Sequence, residues 1–206
     1  MKKLLILLFS LLISFNSLGE TGCSEKEEND DLFGIAVDSN IFYGKDFIDS
    51  TIFFQKRYEL FYIPNASKPF SGENLCVFKN ESGQIHLKGS IKNGKKHGIQ
   101  TIWLKNGHKL EQVTFKDGFL NGEFIAWHEN GQKAVHGYVK NYEAGMDIMH
   151  AQNGKFTRWY ENGNKINESN FKDGKYNGNH TYWNENGQII SESNWKDGEC
   201  ISGDCD

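Results

Sequence analysis

The sequence predicts an all-β protein, one extended antiparallel sheet of stacked β-hairpins that repeats every 24 residues. Three residue columns carry this reading. Trp103, Trp127, Trp159 and Trp183 are spaced 24, 32 and 24 residues apart, and Gly107, Gly131, Gly163 and Gly187 keep the same intervals. Gly98, Gly122, Gly154 and Gly178 run in phase with both. Independent columns that share one period mark a repeat architecture, whose units bury an apolar face only by stacking on their neighbours. The long interval is an insertion of eight residues. Gly154 to Trp159 keeps the step found from Gly98 to Trp103, so the extra residues fall earlier, around Tyr142 to Gln152, in the stretch AGMDIMHAQ. Loops tolerate such insertions.

Taken in order, the chain opens with Lys2, Lys3, an apolar run from Leu4 to about Phe15 and small residues up to Gly19. Residues 1–19 therefore read as a secretory signal, and the run is too short for a spanning helix, which needs ~20 apolar residues. Residues 20–31 form an acidic tether. Cys23 within it stands where a bacterial lipoprotein carries its acylated cysteine, although Glu20 and Thr21 depart from the usual lipobox. The expected location is exported, periplasmic or at the cell surface, with a lipid anchor if Cys23 is acylated. Without the leader, 21 basic face 27 acidic side chains, a balance that disfavours nucleic acid. Residues 32–68 are aromatic-rich and read as an N-terminal cap, and residues 69–206 as the repeats, beginning with a degenerate copy at Pro69-Phe70-Ser71-Gly72.

Within a unit, Asn106-Gly107, Asn130-Gly131, Asn162-Gly163 and Asn186-Gly187 each separate two alternating runs. Asn-Gly there predicts a two-residue type I′ hairpin loop, because that turn needs positive φ at both central residues. Counting outward gives the cross-strand pairs Trp103–Leu110, Trp127–Ala134, Trp159–Ile166 and Trp183–Ile190, a stripe of core that fixes register. Farther from the turn, Thr101, Ile125, Thr157 and Thr181 are expected to meet Gln112, His136, Glu168 and Glu192. The other turn of each unit reads KNGKKHG, KDGFLNG or KDGKYNG, with a partial copy at Lys196-Asp197-Gly198. Its Asp-Gly or Asn-Gly supplies a tight reversal after Phe115, Phe171 and Trp195, and Val139 holds the equivalent place in its strand.

The pattern F-K-D-G-x-x-N-G-x-x-x-x-W-x-E-N-G-Q resembles the MORN repeat family in its bacterial variant form. GKKHGIQTIWLKNG, from Gly94 to Gly107, is nearest the general pattern of G-K-x-H-G, an aromatic residue and a closing Gly, and the likeness covers about residues 69–203. The regular G-x-G that follows the His-Gly step in eukaryotic repeats is missing, which puts the phospholipid binding proposed for that family in doubt here. Many proteins of the bacterial branch are labelled antitoxins of toxin–antitoxin systems. The resemblance therefore implies an alternative function, an antitoxin or immunity-type protein that neutralises a partner toxin.

No nucleophile elbow, phosphate loop, zinc helix or carboxylate metal loop is present in the sequence. The expected function is that of a non-enzymatic scaffold, without cofactor or metal, that binds a protein or envelope component and has sheet edges open to self-association. The face opposite the Trp column is predicted to carry Phe124, Phe156, Arg158, Tyr160, His180 and Tyr182. Exposed aromatics interleaved with Arg and His suit a protein or glycan interface; equally, such residues pack on the N-terminal segment or fill a pleated surface. His128 and His136 fall on opposite faces, which is wrong for joint metal ligation, and His97 reads as a hydrogen-bonding turn residue. Glu168 and Glu192 recur at one position and read as a solvated ladder rather than an acid–base pair. Cys200 and Cys205 are close enough in sequence to close a disulfide, and free thiols are the alternative; a metal site lacks a second closely spaced Cys or His pair.

Overall fold

The computed structural model describes residues 32–37, 55–57, 60–62, 66–78, 84–142 and 151–205. The expected signal 1–19, the tether 20–31 with Cys23, and residues 143–150 of the insertion lie outside them. The described residues fall into two units, one up to Lys96 and one from His97.

In the first unit the strands are β1 (Leu32–Val37), β2 (Gln55–Arg57), β3 (Leu60–Tyr62), β4 (Gly72–Phe78), β5 (Ile85–Lys92) and β6 (Lys95–Lys96). β4 pairs antiparallel with β1 and with β5, β2 pairs with β3, and β5 turns back into β6 through Asn93-Gly94. Gly94 is fixed by its surroundings. Its N–H donates to the Phe70 carbonyl at 2.7 Å and its own carbonyl accepts from Phe61 N–H at 2.9 Å. A Cβ there would lie 2.8 Å from the Leu60 Cβ and 2.9 Å from the Pro69 Cβ. Among the described residues of this unit the buried apolar side chains are Phe70, Leu87 and Ile91.

The second unit holds β7 (Gly98–Trp103), β8 (Lys109–Lys116), β9 (Phe119–Trp127), β10 (Lys133–Tyr142), β11 (Gly154–Trp159), β12 (Lys165–Lys172), β13 (Lys175–Trp183), β14 (Ile189–Lys196) and β15 (Glu199–Gly203). Each pairs antiparallel with the next in chain order, giving one open sheet of consecutive hairpins. This is the architecture the period predicts.

Both turns marked by the sequence are present, but the Asn-Gly turn differs from its expected type. The type I′ loops are the Asp-Gly pairs and Asn93-Gly94: φ is 50° and 77° at Asn93-Gly94, 52° and 95° at Asp117-Gly118, 46° and 78° at Asp173-Gly174, and 51° and 91° at Asp197-Gly198. At the Asn-Gly sites that follow the tryptophans only glycine has positive φ, 84° at Gly107, 83° at Gly131, 86° at Gly163 and 78° at Gly187. The Leu104 carbonyl accepts from Gly107 N–H and Leu104 N–H donates to the His108 carbonyl, both at 2.9 Å; the same pattern recurs from His128, Tyr160 and Asn184. This is a three-residue loop, a type I turn followed by a left-handed glycine in a bulge.

The extra loop residue corrects the expected tryptophan register. Trp103 stands opposite Lys109, Trp127 opposite Lys133, Trp159 opposite Lys165 and Trp183 opposite Ile189, each one residue from the expected Leu110, Ala134, Ile166 and Ile190. A register irregularity beside the turn then restores the pairing, so that Thr101, Ile125, Thr157 and Thr181 do meet Gln112, His136, Glu168 and Glu192. The core is displaced as well. The indoles are half-buried, and the larger buried apolar set, including Ile102, Val113, Phe115, Phe124, Val135 and Phe171, occupies the opposite face. Three of the indoles face lysine instead of an aliphatic residue and Trp183 faces the exposed Ile189, so the column cannot close a dry core.

The asparagine of two bulged turns has a second task. Asn130 Oδ1 accepts from Gln132 N–H at 2.9 Å, while its Nδ2 donates to the Glu161 carbonyl of the next turn at 2.8 Å. Asn162 repeats this with Asn164 N–H and the Glu185 carbonyl, both at 2.9 Å. Aspartate would keep the acceptor and lose the donor. Asn130→Asp is therefore expected to lower stability by about 0.5–1.5 kcal/mol, and Asn130→Ala by more, in urea denaturation. Asp197→Asn, in a type I′ loop that accepts either residue, serves as the near-neutral comparison.

Candidate functional site

The buried face carries a continuous run of rings. Centroids lie 6.0 Å apart for Phe124–Phe156, 6.1 Å for Phe156–Phe171 and 4.6 Å for Phe171–Tyr176. From Tyr176 the run branches, at 4.6 Å to His180 and 5.3 Å to Trp195, and His180 continues to Tyr182 at 4.6 Å. Contacts of this kind contribute about 0.5–1.5 kcal/mol each beyond area burial. Glycine at position 137, opposite Phe124 on β10, leaves the room in which Phe124 and Phe156 meet.

Strand pairing gathers a polar group within these rings. Arg158 on β11 stands across from Asn167 on β12, which stands across from Tyr182 on β13; one row along, Ser169 stands across from His180. Arg158 is 8% exposed, Asn167 5% and His180 5%. Asn167 Nδ2 donates to Ser169 Oγ at 3.2 Å, which leaves Asn167 Oδ1 without a partner, as is His180 Nε2. No carboxylate among the described residues neutralises Arg158; the groups acting on its charge are Tyr182, Tyr160 and Tyr176. Burial lowers the pKa of the guanidinium and of His180, and pushes Tyr176 up to about 12 and Tyr182 upward. At neutral pH the imidazole is thus uncharged and both phenols keep their protons, while arginine remains a cation.

Phe124, Phe156, Arg158, His180 and Tyr182 do share the face opposite the tryptophans, but the expected exposed surface is corrected: Phe124, Arg158 and His180 are buried and the other two half-buried. Side chains of adjacent strands cover one another there. Tyr160 belongs to a bulged turn, where its hydroxyl donates to the Trp183 carbonyl at 3.2 Å. Asn167 and Tyr176 are absent from the interface that the sequence predicts. Tyr176 had a signal, since counting outward from Asp173-Gly174 places it across from Phe171.

The tryptophan face is bound up in charge pairing. Lys109 Nζ lies 5.3 Å from the Trp127 ring centroid and Lys165 Nζ 5.4 Å from that of Trp183, so a lysine facing one indole reaches the indole of the next repeat. Glu168 is held by Lys155 at 2.7 Å and Lys165 at 2.6 Å. Burial raises its carboxyl pKa, and the two lysines more than offset this, leaving it below the usual value. His136 Nε2 is 2.8 Å from Glu123, His97 Nδ1 is 3.3 Å from Asp117, and His128 Nε2 donates to the Trp159 carbonyl at 2.9 Å. Cys200 and Cys205 are joined by a disulfide at the end of the sheet.

Hairpins linked alternately by two-residue and bulged three-residue turns, each bulged turn tied to the next, define a β-hairpin repeat protein. Residues 96–117, 120–141, 152–173 and 176–197 match the family model described as MORN repeat variant, with starts that follow the tryptophan intervals. This array, residues 96–197, belongs to the MORN repeat family and is a repeat scaffold. No curated protein matches the chain.

Proposed function

We propose that the protein is an exported, non-enzymatic recognition scaffold whose repeat array binds a protein or another component of the cell envelope. Arg158 carries this reading: it is a cation buried among rings, with no carboxylate among the described residues beside it. Burying an unpaired charge costs stability, so its presence is best accounted for by a ligand that neutralises it. The Lys2–Phe15 leader pattern and the Cys200–Cys205 disulfide support export, since disulfides persist in oxidising compartments. Glu168, clamped between two lysines and held ionised, is poorly suited to donating a proton, which supports a binding role over a catalytic one.

Capture from native envelope extract with the mature protein, crosslinked in place, tests the proposal. One partner in stoichiometric amount is expected, retained by folded Trp127→Ala and lost by folded Arg158→Met. Capture of nothing above background, or equal capture by both variants, would overturn it.

A further inference from the structure

We infer that Arg158, Asn167, Tyr176, His180 and Tyr182 form a binding site for a carboxylate flanked by hydroxyls, the chemistry of a sugar acid. The inference deepens the recognition reading above and rests on it. Two buried atoms without a hydrogen-bond partner lie together with a buried cation that no carboxylate faces. The guanidinium of Arg158 offers a planar fork of donors that matches the two oxygens of a carboxylate. Asn167 Oδ1 and His180 Nε2 have no partner. Asn167 is held in orientation by the hydrogen bond that its Nδ2 donates to Ser169 Oγ, so its oxygen accepts and requires a donor. Hydroxyls next to a carboxylate supply that donor.

Charge selects the acid. His180 is neutral, the phenols of Tyr176 and Tyr182 remain protonated, and Lys155 and Lys165 are committed to Glu168 on the other face. One positive charge therefore faces the ligand. A carboxylate balances it, whereas a phosphate monoester, at about −1.5 to −2 near neutral pH, would leave negative charge buried and unpaired. Tyr176 and Tyr182 are half-buried, so they offer ring surface to a sugar's C–H groups, present protonated hydroxyls as donors to its oxygens and mark the open side of the site. Trapped water could satisfy Asn167 and His180, but water does not neutralise Arg158.

The test is calorimetric titration of the mature protein with glucuronate, glucose and inorganic phosphate, alongside thermal unfolding. Glucuronate should bind at least about 10-fold more tightly than glucose or phosphate. Arg158→Met should weaken glucuronate about 10- to 100-fold while raising Tm, because the variant no longer buries an unpaired charge. Tyr182→Phe keeps the ring and loses the donor, and should weaken binding by roughly 5- to 10-fold, which gives a second reading if Arg158→Met fails to fold. Equal binding of phosphate, unchanged binding by Tyr182→Phe, or no heat with glucuronate would overturn the assignment. If glucuronate fails while envelope capture still depends on Arg158, the sugar-acid assignment falls and the recognition scaffold stands. Glucuronate binding without any captured partner would support the site and overturn only the envelope reading.

Discussion

Replacing Phe124 by alanine is expected to destabilise the repeat array by about 3–5 kcal/mol, near the upper end for a single substitution. Phe124 is 2% exposed, stands between Val113 on β8 and Gly137 on β10, and touches the Phe156 ring. Removing the ring loses its burial and leaves a cavity. That cavity collapses poorly, because the flanking strands are held by their own ladders and glycine 137 has no side chain with which to fill it. Because repeats are stabilised by nearest-neighbour contacts, the loss should concentrate in the hairpins on either side of β9. Hydrogen exchange should therefore show faster opening at β8 to β11 than at β13 to β15, and urea denaturation should show a lower midpoint. A change below about 1 kcal/mol would mean that this face is not the core.

The same residue shows how far the sequence could be read. Period, strand order and the Asp-Gly loops were all legible, because a type I′ loop demands positive φ twice and few residue pairs satisfy it. The Asn-Gly turn was ambiguous in principle: both the type I′ loop and the bulged loop place a left-handed glycine after the asparagine, and they differ in the φ of that asparagine and in one further loop residue before it. Alternation told which residues share a face with Phe124, but not which face is covered, since both carry aromatic and charged residues. Tryptophan pulled the expectation to the wrong side. What it faces is decided by the bulge, which put Lys109 across from Trp103 and carried that lysine over Trp127. The burial of Arg158 left no mark in the sequence, because it arises from rings contributed by β13 and from the turn after β11.

Gly137→Ala tests the same packing from the opposite strand. Glycine in a strand is normally a weakness, and alanine at a compatible backbone position usually stabilises by about 0.4–1 kcal/mol by restricting the unfolded chain. Here the sign should reverse. A Cβ at position 137 would lie 2.7 Å from Phe124 Cε1 and 2.8 Å from Phe156 Cδ2, closer than real contacts allow, and 3.0 Å from Phe124 Cζ, which is tight. Relief by ring rotation is restricted, because Phe156 is followed by Phe171 and Tyr176 in the ring run. The expected cost is about 1–3 kcal/mol, the range for overpacking a filled core. In a Phe156→Leu background one of the two colliding rings is gone, so the alanine should cost at least about 0.5 kcal/mol less, a coupling read from the double-mutant cycle. Additive effects would mean that the rings move apart independently. Because β11 carries both Phe156 and Arg158, with the chain alternating faces between them, a displaced Phe156 should also move the guanidinium. Glucuronate binding should then weaken in Gly137→Ala and recover in the double variant, linking the packing of the repeat to the site it builds.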